Sequence, residues 1–228
     1  MIVSIHQPQY LPWIPYFAKI AESDVFIILD SVDFQKNGLQ NRNKIKTPQG
    51  PIWLTVPVRQ RLGQKIIEVE IIQNIDWSKK HWKTILQNYA KADFFKVYAD
   101  ELEDVYTRNW TMIVDLNLHL IQLMLHWMNI STRILRSSEM NATGHGSDLV
   151  LNLCLEVGAR QYVSGIGGKN YLDEQAFRAA GVNIIYKPPN LPEFYPQQHL
   201  KAGFINDLSA LDIILNCGQR SNKFLKSI

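Results

Sequence analysis

Cysteine is scarce in this chain: Cys154 and Cys217 are the whole complement. Both lie in apolar, helix-like stretches, so they read as buried free thiols in a reducing compartment. Two such residues build neither a disulfide framework nor a CxxC zinc site. HExxH and GxSxG are missing too, which removes the metalloprotease and serine-hydrolase readings. His119 and His126 share a helix face but have no third ligand, so they make no metal site. No apolar run reaches the length of a membrane span. The start of the chain has no basic segment ahead of an apolar one and no cleavage site, which predicts a cytoplasmic protein. Internal repeats and low-complexity segments are absent.

What is present is ordinary globular material of 228 residues, 46% hydrophobic and 20% charged, enough for one large α/β domain spanning 1–228. Ile2 to Ile5 is a short apolar run suited to a central parallel strand. It stops at His6, and Pro8, Pro12 and Pro15 postpone any helix until about residue 14. Val25 to Leu29 is a second such run, ending in Asp30. Strand, helix and strand within about thirty residues is a βαβ unit with parallel strands. Residues 34–72 then read as an insert. A basic loop from Phe34 to Lys46 precedes an antiparallel hairpin of Ile52 to Val58 and Lys65 to Ile72. Residues 76–128 supply helices for an extra layer, the last over Trp110 to Met128. Strands follow at Arg133 to Leu135, Gln161 to Ser164 and Val182 to Tyr186, alternating with helices at 147–157 and 173–180. A final helix covers 207–216, and the tail from Gln219 reads as loosely ordered. The pattern predicts a Rossmann-like parallel sheet with an inserted antiparallel hairpin and an extra helical layer.

In open α/β sheets ligands bind at the carboxyl ends of the strands. Four candidate loops stand there: 6–13, 30–46, 137–146 and 164–169. His6 is the candidate catalytic group, as an acid or base with a pKa near neutrality or as a phosphate donor. Gln7, Tyr10, Trp13 and Lys19 are candidate ligand contacts beside it. Asp30 and Asp33 suit either ion pairing or a divalent ion. Between Asp33 and Lys65 there are seven cations and one acid, which suggests an anionic partner. Within this zone Lys36, Asn41, Arg42 and Lys44 are the candidate phosphate contacts, Arg42 by a two-pronged clamp. Ser137 belongs to the third loop. The fourth, Ser164, Gly165, Gly167, Gly168 and Lys169, is a glycine-rich turn able to approach an anion closely. It matches neither GxxxxGK[ST] nor GxGxxG.

The segment His6-Gln-Pro-Gln-Tyr-Leu-Pro-Trp-Ile-Pro-Tyr-Phe-Ala-Lys-Ile20 resembles the N-terminal signature of the WbqC-like family. The resemblance continues through Asp30 to Lys36, Asn41 to Ile45, Trp53 to Val58, Tyr162 to Gly165, Tyr171-Leu172, Tyr195 to Gln197, Leu208 to Asp212 and Asn216 to Gly218. Pro15 departs from it, standing where a glycine is expected. The resemblance implies a bacterial cytoplasmic protein of surface-polysaccharide (O-antigen) biosynthesis. It also implies a transferase or ligase acting on a nucleotide-linked amino sugar, with glycine or another amino acid as the acyl group. ATP or another nucleotide with a divalent cation is the candidate cofactor, and a nucleotide or nucleotide-sugar the candidate ligand. A homo-oligomer is left open. A histidine loop after the first strand is also similar to nucleotidylyl-transferase folds, although the second histidine of their HxGH pattern is missing here. Two rival readings remain: a non-catalytic partner of a polysaccharide assembly pathway, and a nucleic-acid-binding module using the basic 33–65 stretch with Trp53.

Overall fold

In the computed structural model, residues 1–225 are described. Five parallel strands form the central sheet: β1 (Ile2–His6), β2 (Val25–Ile28), β7 (Arg133–Arg136), β8 (Gln161–Gly165) and β9 (Asn183–Lys187), in the order β7-β2-β1-β8-β9. The order runs outward in both directions from β1. The crossover therefore reverses between β1 and β8, and a crevice opens there at the carboxyl edge.

Alternation along β2 shows why both faces are apolar. Phe26 and Ile28 join the larger core, beneath α1 (Ile14–Ala21), α4 (Ile113–Trp127) and α7 (Ala210–Cys217). Val25 and Ile27 point the other way, into a smaller core under α5 (Gly146–Glu156) and α6 (Glu174–Ala179). A sheet covered on both faces has no place for a polar alternation, which is why its strands read as continuous apolar runs. Helix α1 opens with proline in its first turn, where the missing N–H costs nothing. Its Lys19, Tyr16 and Phe17 are thereby laid over β1. Helices α2 (Trp77–Tyr89) and α3 (Phe95–Thr107) complete the helical layer with α4.

The insert differs from the predicted single hairpin. Arg42–Thr47 (β3) pairs antiparallel with Gly50–Thr55 (β4), across the turn signalled by Thr47 to Pro51. A second small pair joins Val58–Arg59 (β5) to Glu70–Ile71 (β6). The cations at 42, 44 and 46 hide the alternation of β3, which is why its sequence resembles loop. Asn43, Ile45 and Thr47 are buried and Arg42 and Lys44 are half-exposed, but Lys46 is buried as well. The tail is also more ordered than predicted. Gly218–Leu225 is 3-10 helix packed on α1 and α7, with Ser221 and Leu225 buried. The last three positions of the predicted loose tail lie outside the described residues.

Candidate active site

A cavity of about 180 Å³ occupies the crevice between β1 and β8. The carboxyl ends of three strands contribute His6 from β1, Ser164 and Gly165 from β8, and Lys187 from β9. Helix α1 and its approach add Trp13, Pro15, Tyr16, Lys19 and Glu22. Pro188 and Pro189 close one side, and Leu225 of the terminal 3-10 helix forms part of the wall. Apolar surface dominates, with a few polar groups converging, as in small-molecule sites generally.

Three of those polar groups carry unusual protonation properties. The Nδ1 of His6 donates to the Gln7 carbonyl at 3.0 Å, which leaves Nε2 with the lone pair. Burial, reinforced by the Lys19 charge, pushes the pKa of His6 down to about 4. The near-neutral value expected from sequence is thus corrected. The ring is an uncharged base at neutral pH, edge-on to Tyr16 with centroids 5.2 Å apart. Lys19 donates to the Ile5 carbonyl at 3.1 Å, and burial pushes its pKa down to about 8. Tyr16 is 2% exposed and its hydroxyl has no hydrogen-bond partner; burial drives the phenol well above its ordinary pKa, so it stays a neutral donor. At the rim Lys187 is neutralised by Glu22 at 2.8 Å.

Of the residues singled out from sequence, His6, Trp13, Lys19, Ser164 and Gly165 line this cavity together. The others lie elsewhere, for identifiable reasons. Tyr10 is fully buried, its hydroxyl between His81 Nδ1 at 2.8 Å and Tyr106 at 2.9 Å, so it is core. Gln7 accepts from Gln40 at 2.9 Å and braces the insert. Asp30 and Ser137 do reach the carboxyl edge, but they satisfy one another. Ser137 Oγ, Ser138 N, Ser138 Oγ and Arg136 Nε all donate to the fully buried Asp30 carboxylate within 3.0 Å. That is an ion pair with a hydrogen-bonded cap, not a free ligand group. Asp33 and Lys36 are exposed on the insert. Asn41 donates to the Val56 carbonyl at 2.9 Å. Arg42 stacks on Trp53 at 4.6 Å and donates to the Asn37 carbonyl, while Lys44 pairs with Asp207. Gly167 and Gly168 turn away from the cavity lining. Gly168 lets the chain pass Ser164, whose Oγ would sit 2.1 Å from an added Cβ. Lys169 lies over the Tyr186 ring in a separate open groove with Glu174 and Arg178. Among the described residues no group of three or more His, Cys, Asp or Glu could hold a metal ion.

Sequence reasoning missed Tyr16, Glu22, Lys187 and Leu225. Lys187 was reachable, because it directly follows the strand expected over Val182 to Tyr186 and ends the observed β9. Glu22 and Leu225 come to the cavity only through tertiary packing. The motif segments near the C-terminus serve the scaffold. Asp212 is fully buried and accepts from Tyr89 at 2.7 Å and Tyr195 at 2.8 Å. The equally buried Lys46 donates to Gln197 at 2.9 Å. This network holds β3 against α7. Trp13 bridges to Ser209, whose N–H donates to the Lys44 carbonyl at 2.9 Å, so the cavity wall and the insert are mechanically continuous.

The WbqC-like protein family model matches residues 7–224. The chain is 35% identical over 227 residues to "Uncharacterized protein Rv1507c" of Mycobacterium tuberculosis (strain ATCC 25618 / H37Rv), covering 98% of this chain and 97% of that protein. No solved structure matches. The chain belongs to the WbqC-like protein family.

Proposed function

We propose that this member of the WbqC-like family is a cytoplasmic transferase or ligase. Its substrate is a nucleotide-linked amino sugar of bacterial surface-polysaccharide biosynthesis, and it attaches an acyl group, an amino acid such as glycine being one candidate. The observation that carries the reading is the meeting of His6, Lys19 and Tyr16 in an apolar cavity at the switch point of the sheet. His6 is the base. Its Nδ1–H is held by the Gln7 carbonyl, so Nε2 takes the proton from the attacking amine as the new C–N bond forms, and the bond from the acyl carbon to the oxygen of the activating phosphate or nucleotide breaks with that group leaving. Lys19 stabilises the oxyanion that develops on the acyl oxygen. An anionic substrate beside His6 raises the imidazole pKa from its depressed value, which brings the base into working range when the substrate is bound. Activation of the acyl group by ATP or another nucleotide with a divalent cation completes the reading. Arg42 and Lys44 are already committed to Trp53 and Asp207, so they serve the scaffold of the insert more than the phosphates.

Thermal-shift screening against nucleotides and nucleotide-sugars tests this. Binding confined to the native state raises the midpoint with ligand concentration. A nucleotide-linked amino sugar gives the shift, and His6→Ala keeps the fold while losing turnover. A stable His6→Ala protein with full turnover sinks the role assigned to His6.

A further inference from the structure

We infer that the cavity between β1 and β8 seats a single carboxylate carried on a compact apolar body, with Lys19 as its counter-ion. The inference rests on the transferase reading only in taking this cavity as the acyl subsite.

Charge defines the ligand first. The charged and titratable groups lining the cavity are His6, Tyr16, Lys19, Glu22 and Lys187. Glu22 and Lys187 cancel each other at 2.8 Å. His6 and Tyr16 are neutral at pH 7. Lys19 therefore leaves the lining with one net positive charge, and among the described residues it makes no ion pair. A monoanion balances that charge; a nucleoside triphosphate brings several negative charges that the walls do not meet. A free amino acid, one candidate for the acyl group above, brings the opposite difficulty. Its ammonium would need a carboxylate, and Glu22 is held by Lys187. The acyl group is thereby narrowed to a simple carboxylic acid.

Size and wall chemistry define the rest. A cavity near 150 Å³ lined by aliphatic and aromatic groups takes about one benzene ring. This one is about 180 Å³, with Trp13, Pro15, Val163, Pro188, Pro189 and Leu225 as its apolar walls. Donors suited to one carboxylate are in place. Lys19 has N–H groups beyond the one given to Ile5. A polyhydroxylated sugar ring would leave its hydroxyls against apolar wall, which is unfavourable. The acid so bound supplies the acyl group: a carboxylate oxygen attacks the α-phosphorus of ATP held outside the cavity, pyrophosphate leaves, and the amine of the reading above then displaces AMP from the acyl carbon.

Benzoate, benzamide, glycine, inorganic phosphate and ATP are the probes, measured by calorimetry on the full chain. Benzoate should bind at least about tenfold more tightly than isosteric benzamide, because only the former pairs with the ammonium. Lys19→Met should bring the two within about twofold by weakening benzoate alone. The wild-type protein supplies an independent reading if that variant fails to fold. Bound carboxylate requires protonated Lys19, so benzoate affinity should decline as pH rises past about 8, while benzamide stays level. Phosphate or ATP binding more tightly than benzoate in a Lys19-dependent way overturns the inference, as does glycine matching benzoate, or benzoate no tighter than benzamide. The two readings fail separately. A nucleotide-sugar shift without benzoate binding removes the acid pocket and keeps the transferase. Benzoate binding without any nucleotide-sugar shift does the reverse.

Discussion

At the scale of single residues, two histidines are stored in uncharged form. His6 and His81 both have pKa values pushed down to about 4, chiefly by burial. Unfolded, each returns to about 6.5 and binds a proton between those two values. The unfolded state then holds more protons, so stability is full above about pH 6.5 and falls as pH drops toward 4, by up to roughly 3 kcal/mol per histidine. Carboxylates titrate in the same range, so the check is a difference: unfolding measured from pH 7 to 4 should be flatter for His81→Gln than for wild type. Gly168 offers a steric test. A Cβ there would stand 2.1 Å from Ser164 Oγ and 2.9 Å from Leu172 Cδ1. Gly168→Ala should destabilise by about 1–3 kcal/mol in denaturant melts, and adding Ser164→Ala should recover part of that loss. The glycine-rich turn was legible in sequence as a close approach. Sequence could not say that the chain's own Ser164 is what stands close to Gly168.

Elements depend on buried polar ties that their own patterns do not announce. Strand β3 is held to α7 by Asp212, Tyr89, Tyr195, Lys46 and Gln197. Asp212→Ala leaves two buried hydroxyls without their acceptor and removes the nearby negative charge that favours protonated Lys46. We expect a loss of about 3–5 kcal/mol by denaturant unfolding, with Asp212→Asn costing less because an acceptor remains. The end of β2 behaves alike. Asp30→Ala removes the carboxylate that accepts from Ser137, Ser138 and Arg136 Nε at the end of β7, and should lower the melting temperature without changing nucleotide-sugar affinity, since neither Asp30 nor Ser137 lines the cavity. Asp30 and Ser137 were read as site residues because the strand-end rule places them on the right edge. Mutual satisfaction is a pairwise fact, and no single segment contains it.

For the whole molecule, the cationic stretch between Asp33 and Lys65 looked like a surface for an anionic partner. Folded, its most compact part is spoken for: Arg42 by Trp53 and the Asn37 carbonyl, Lys44 by Asp207, and Lys46 by burial beside Asp212. Among the described residues, ion pairs neutralise only Lys44 and Arg59 of the seven cations, and Lys36, Arg61 and Lys65 stay exposed, so any retardation of single- or double-stranded nucleic acid should be weak and vanish at moderate salt in a mobility assay. Apolar runs, proline positions and alternation of strand with helix determined the parallel sheet and located its carboxyl edge, because those are short-range signals that each segment carries alone. Sequence also determined that His6 ends the central strand. The tertiary structure decided which strand-end residues share a cavity and which spend themselves on one another. It brought Glu22, Lys187 and Leu225 to His6 from positions up to 219 residues away. It also set the protonation of His6 and Lys19, since burial and neighbouring charge exist only once the chain has closed around them.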